Sequence, residues 1–264
     1  MPHDSANVSR PSAWRFFALL YALSVPWWIL AQFVRIEGLP DELPITDAGA
    51  TFMPLLAAVI LVARESGAQG VTRLLARILD FQRISGVGWW AITLLIMPAI
   101  LVLTYMFMRM LGMSLPDTWT LPATAILVFL LYFLAAVGEE VGYTGYATGL
   151  LQQRTSPLLA ALIIGTLWAL WHLPSMIGLG QPIGLIICGL IATVAFRIIY
   201  FWLYNGTGSL FAIILVHALF NAGRTFFPGG RTSFEQHSAV VGYGIVVVLA
   251  LTIVAITGVG ARRA

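Results

Sequence analysis

The chain has 264 residues, 59% of them hydrophobic and only 9% charged. Soluble domains average about 25% charged residues, so a mean hydropathy of +0.91 excludes a water-soluble globule and points to an all-α polytopic membrane bundle. The formal charge of +3 rests on fourteen Arg and no Lys; the longest basic run is Arg262-Arg263, which gives no footprint for nucleic acid.

Residues 1–13 read as a flexible tail, and 14–264 as one transmembrane domain. A helix needs about 20 apolar residues to cross the hydrocarbon core. Eight such stretches follow, at about 14–34, 48–63, 89–111, 122–151, 158–178, 182–204, 209–227 and 239–259. The first is too long, and too poor in small residues at its end, for a signal peptide. Between the second and third, Val71, Leu74, Leu75, Ile78 and Leu79 recur with helical period beside Arg73, Arg77 and Arg83, which predicts an amphipathic helix at the membrane interface. The pairs Trp27-Trp28 and Trp89-Trp90 read as interface anchors. Cys188 reads as a packed small hydrophobe, so neither a disulfide framework nor a cysteine metal site is expected.

Arginines on alternate sides set the orientation. One side holds Arg10, Arg15, Arg64, Arg73, Arg77, Arg83, Arg154, Arg262 and Arg263; the other holds Arg35, Arg109, Arg224 and Arg231, with Arg197 inside the sixth span. The excess predicts cytoplasmic termini, and the compact all-Arg chain reads as a bacterial inner-membrane protein.

The polar residues inside the spans are few. Glu139 and Glu140 lie side by side in the fourth span. An ionised side chain at the bilayer centre costs at least about 2.5–3.5 kcal/mol, and two like charges repel as well, so packing alone does not account for them. Trp168 and His172 lie in the fifth span, His217 and Asn221 in the seventh, each pair four residues apart and so on one helix face. At about 1.5 Å per residue, Glu139 lies about 18 Å from the arginine-rich end, His172 about 21 Å and His217 about 12 Å. Those depths predict one polar cavity, drawn here as opening to the cytoplasm. Pro174 predicts a kink after His172, and Gly138, Gly142, Gly145 and Gly149 predict close helix approach. His3 and His237 fall in a tail and a loop.

Such a set suits hydrolysis of an amide. A carboxylate takes a proton from water, an imidazole shares that task, and a second His with an Asn amide donates to the oxyanion, where one donor can be worth about 10²–10³ in rate. Alternatively, Glu139, His172 and His217 form a zinc ligand set. The metal-free arrangement is placed ahead because no HExxH helix is present.

In these motifs the chain resembles the CAAX protease and bacteriocin-processing (Abi) family of intramembrane proteases. That family's pattern is Glu-Glu-x-x-x-Arg, Phe-x-x-x-His and His-x-x-x-Asn/Asp on successive membrane helices. Here the pattern reads Glu139-Glu140-Val141-Gly142-Tyr143-Thr144, Trp168 to His172, and His217 to Asn221. The resemblance implies an endopeptidase with a cytoplasm-facing cavity, in which Glu139 and His172 activate water and His217 and Asn221 hold the oxyanion. Glu140 and Trp168 would support them. The substrates it implies are membrane polypeptides, prenylated or bacteriocin-like. Two positions depart from the pattern. Trp168 stands for Phe, and Thr144 stands for Arg, which leaves Glu140 to be protonated or to find a tyrosine, Arg154 or Arg197. A non-catalytic peptide-binding immunity protein, to which the missing Arg lends support, and a proton-coupled carrier are the competing readings.

Overall fold

The computed structural model describes residues 11–31, 33–34, 49–115, 121 and 123–259. Most of the expected tail, the acidic loop around Glu37 to Asp47, His3 and the side chain of His237 fall outside the described residues. Eight helices are described: α1 (Ala13–Leu30), α2 (Met53–Ala76), α3 (Val87–Met110), α4 (Ala125–Gln152), α5 (Pro157–Gly178), α6 (Ile183–Thr207), α7 (Leu210–Thr225) and α8 (Gly230–Thr257). No strand occurs among the described residues. Seven of the eight are long and apolar enough to cross a membrane; α7 is shorter. Its apolar residues are mostly buried, so its neighbours cover it and it need not match the bilayer alone. Leu94 and Leu95 on α3, Leu127, Leu130 and Leu134 on α4, and Val248 and Leu251 on α8 are exposed. In lipid that is their favourable environment.

The packing sets α6 between α5 and α8, while α7 lies between α3 and the first half of α4; α2 joins α1 to α4. Two local breaks shape this arrangement. α2 does not stop near residue 63 as the sequence suggests. It continues to Ala76 across a single non-helical residue, Gly67, whose φ of 62° favours glycine. The expected amphipathic helix is the piece beyond Gly67, followed by two short 3-10 turns, Arg77–Leu79 and Phe81–Arg83. Leu74 is buried on that piece and approaches Gly145 and Leu210, so this apolar position packs on protein. The second break is a π-helical stretch in α4, Val141–Ala147, directly after the two glutamates. Helix α5 runs as one helix from Pro157 to Gly178, with Pro174 inside it.

At the end of the bundle with the arginine-rich connections, hydrogen bonds hold the segment after α2 to α4, α6 and the start of α7. Asp80 Oδ1 accepts hydrogen bonds from Ser209 Oγ (2.8 Å) and from the amide of Phe211 (3.0 Å) at the start of α7. Arg77 donates to the carbonyl of Gly145 (3.2 Å) and to the Tyr204 hydroxyl. In the other half a cavity of about 670 Å³ runs inward. Its walls come from the first residues of α2, α4, α6 and α8 and the last turns of α1, α5 and α7. The depth estimate that placed the opening at the arginine-rich end is therefore corrected: the polar residues sit near mid-span, and the space beyond them lies on the opposite side.

Candidate active site

Glu139 and Glu140 are consecutive on a helix of about 3.6 residues per turn, so they point roughly 100° apart. Glu139 turns toward α5 and lines the cavity. Its Oε2 accepts a hydrogen bond from the indole N–H of Trp168 at 2.7 Å and lies 3.9 Å from His172 Nε2. Trp168 and His172 share a face of α5, and that helix is held from α1. Tyr21 donates to the carbonyl of Leu167 (2.7 Å), and the indole N–H of Trp171 donates to Ser24 Oγ (2.8 Å). The Trp168 and Trp171 rings lie 5.3 and 4.9 Å from the His172 imidazole.

Glu140 turns the other way and is fully buried. Arg197 of α6, also with no exposed surface, grips it with both terminal nitrogens, at 2.8 and 3.2 Å. Thr144, one turn along α4, donates its hydroxyl to the same carboxylate and accepts from Arg197 at 3.2 Å. His217 Nδ1 lies 3.0 Å from Glu140 Oε1. The Arg197 guanidinium stacks over Trp168 at 4.2 Å, with Tyr143 and Tyr200 at 5.2 and 5.3 Å. A desolvated cation over an aromatic face gains about 2 kcal/mol. Arg197 thus supplies, from α6, the guanidinium that the motif carries at position 144.

His217 and Asn221 lie on one face of α7, and both line the cavity with Glu139 and His172. Glu140 engages Nδ1 of His217, which leaves Nε2 as the nitrogen available to the cavity. Asn221 Oδ1 accepts from Arg224 at 2.7 Å, which turns its amide nitrogen into the free donor. The four residues expected to meet do line one cavity, and Trp168 joins them. Glu140 stands behind that wall. Sequence reasoning gave Trp168 a supporting place without saying how; its N–H on Glu139, and the bond from Arg224 to Asn221, were not foreseen. Arg197 had a signal, as the only charged residue of its span. Among the described residues no three His, Cys, Asp or Glu side chains gather as metal ligands, and His217 Nδ1 is engaged by Glu140.

Residues 121–223 match the family described as type II CAAX prenyl endopeptidase, Rce1-like. The chain is also similar to CAAX prenyl protease 2 of Methanococcus maripaludis, at 28% identity over 126 residues. Over this segment the chain is similar to the CAAX protease family. The likeness to the archaeal protein covers 46% of this chain and 46% of that one, so the chain aligns with about half of its relative. The matched segment runs from the start of α4 nearly to the end of α7 and contains Glu139, Glu140, Trp168, His172, Arg197, His217 and Asn221. Helix α1, which buttresses α5, lies outside it, as do α2 and α8.

Proposed function

We propose that the chain is an intramembrane endopeptidase that cleaves a peptide bond near the C-terminus of a membrane-associated or lipid-bearing polypeptide. The observation that carries this reading is the arrangement of Glu139, His172, His217 and Asn221, from three helices, around one cavity. Apolar lining such as Phe52, Leu131 and Leu185 suits a lipid chain or apolar side chains beside the cleaved bond.

In this mechanism water held between Glu139 and His172 gives a proton to the Glu139 carboxylate as its oxygen attacks the peptide carbonyl carbon. The carbonyl oxygen becomes an oxyanion. The Asn221 amide N–H donates to it, and so does His217 Nε2 when the ring is protonated on both nitrogens. Collapse breaks the C–N bond, and the proton that Glu139 took from water passes, directly or through His172, to the leaving amine. The products are a new carboxyl terminus and a free amine. Arg197 balances the charge of Glu140, which holds His217 in register. The binding-scaffold reading drew on the absent motif arginine, and Arg197 removes that argument.

The test is cleavage of a fluorogenic peptide library by detergent-purified protein, with and without a zinc chelator. Cleavage resistant to the chelator and lost in Glu139→Gln, while the variant keeps its melting temperature, is the expected result. Equal cleavage by wild type and Glu139→Gln would remove Glu139 from catalysis. Cleavage abolished by chelator and restored by zinc would replace the metal-free mechanism.

A further inference from the structure

The segment after α2, with its arginines, takes no part in the catalytic cavity. It borders a second one. A cavity of about 520 Å³ lies between Arg83 on the second 3-10 turn, Gln152 and Gln153 at the end of α4, and Tyr204 and Asn205 in the last turn of α6. Trp89, in the first turn of α3, lies against Gly206, and its ring is 5.3 Å from that of Trp202. Tryptophan is enriched at the level of the lipid headgroups, and the end of α4, the end of α6 and the start of α3 all meet here. The cavity therefore lies at the depth of lipid phosphates, not of acyl chains.

Its walls carry hydrogen-bond donors. Arg83 is largely exposed, and its Nη1 lies over Gly208. Its Nε is 3.8 Å from Asp80 Oδ2, beyond hydrogen-bond reach. The Tyr204 hydroxyl accepts from Arg77, which leaves its own hydrogen to donate. Gln152 Nε2 donates one hydrogen to Asn205 Oδ1 at 3.0 Å and keeps a second. No acidic side chain is among the described lining residues. Asp80 is shared between Arg77 and Arg83, at 3.7 and 3.8 Å, so two cations face one anion.

A guanidinium fork beside hydroxyl and amide donors suits a phosphate group, which offers more acceptor oxygens than a carboxylate. Basic pockets between membrane helices at headgroup level hold anionic lipids in the same way. We infer that this cavity binds a phosphate group, that of an anionic lipid headgroup or of free phosphate, with Arg83 as its charged partner and Tyr204 and Gln152 as flanking donors. The depth favours the lipid, and the cavity has room for an esterified headgroup as well as the phosphate. Such a site holds whether or not the chain cleaves peptides.

Thermal unfolding of the full chain in an uncharged detergent tests the site, because a ligand of the folded state raises the melting temperature with its concentration. The probes are dioctanoyl phosphatidylglycerol, dioctanoylglycerol, which has the same chains without phosphate, and inorganic phosphate against chloride at equal ionic strength. The expected result is a rise with phosphatidylglycerol, none with dioctanoylglycerol, and a half-saturating concentration at least about tenfold higher in Arg83→Gln. Arg73→Gln, exposed on the same segment and outside the cavity, should titrate like wild type. Arg83→Lys keeps the charge without the fork; it replaces Arg83→Gln if that variant does not accumulate, and should also weaken binding. A rise with phosphatidylglycerol alone, weakened in the Arg83 variant, assigns the group to a lipid. A rise with inorganic phosphate as well, weakened in the same variant, assigns the site to phosphate itself. No rise with either, an equal rise with dioctanoylglycerol, or equal titration by wild type and the Arg83 variant overturns the site. An equal weakening in Arg73→Gln also overturns it, by reducing the effect to general surface charge.

Discussion

A carboxylate with no exposed surface needs opposite charge and hydrogen bonds in place of water. Around Glu140 these come from Arg197, Thr144 and His217, which lie on three different helices. Removing one partner of a buried pair leaves the other uncompensated, at a cost of about 3–5 kcal/mol. Arg197→Met should therefore lower the melting temperature in detergent sharply. Position 144 already touches Glu140, so adding Thr144→Arg should recover part of the loss. A double variant no more stable than Arg197→Met would mean that the guanidinium cannot be supplied from α4, and that its place on α6 matters for more than charge. Arg197 was legible in the sequence because it is the lone charge in an apolar span that also faces a motif lacking its Arg. The Trp168 bond to Glu139 was not, because the direction of an indole N–H depends on a rotamer that packing decides.

Helix α4 places the glutamates by its contact with α2, and that contact is made backbone to backbone. A Cβ on Gly142 would stand 2.5 Å from the carbonyl oxygen of Pro54, and one on Gly138 2.7 Å from that of Thr51. Neither oxygen belongs to a flexible side chain that can move aside. Gly149, on the same helix, is exposed and would meet nothing within 4 Å. Gly142→Ala should thus overpack the α2–α4 contact at a cost of about 1–3 kcal/mol, while Gly149→Ala should be neutral or stabilise by up to about 1 kcal/mol. Thermal unfolding of the two variants side by side checks this; equal melting temperatures would show that α2 yields freely. The glycines announced close approach in the sequence without saying which of them meets a neighbour. The spans themselves were legible, since apolar length alone marks them. The π-helical stretch was not, because nothing in Val141-Gly142-Tyr143-Thr144 distinguishes a wide turn from an ordinary one. The continuation of α2 past residue 63 was missed because Arg64, Glu65 and Gly67 look like the end of a span, whereas Glu65 is taken up by the Tyr146 hydroxyl at 2.7 Å.

Across the whole molecule, depth along a span located the polar residues but not the opening. Residues 12–21 Å into a core about 30 Å thick lie near its middle, from which either end is equally far. What locates the opening is the cavity itself. At the arginine-rich end the segment after α2 is held to its neighbours, with Asp80 as its main contact to α7, the helix that carries His217 and Asn221. Asp80 acts there as a cap supplied from another element, accepting from Ser209 Oγ and from the Phe211 amide. Loss of a capping carboxylate typically costs about 0.5–2 kcal/mol, so Asp80→Ala should destabilise by an amount in that range. Asp80→Asn keeps an acceptor oxygen and should lose less. If that contact also holds α7 in register for the site, Asp80→Ala should lower the turnover of any cleaved peptide more than its KM, although Asp80 lies far from the cavity. A stability loss with unchanged turnover would confine Asp80 to holding the segment after α2, and would leave the packing of α7 against α3 and α4 as what sets the positions of His217 and Asn221.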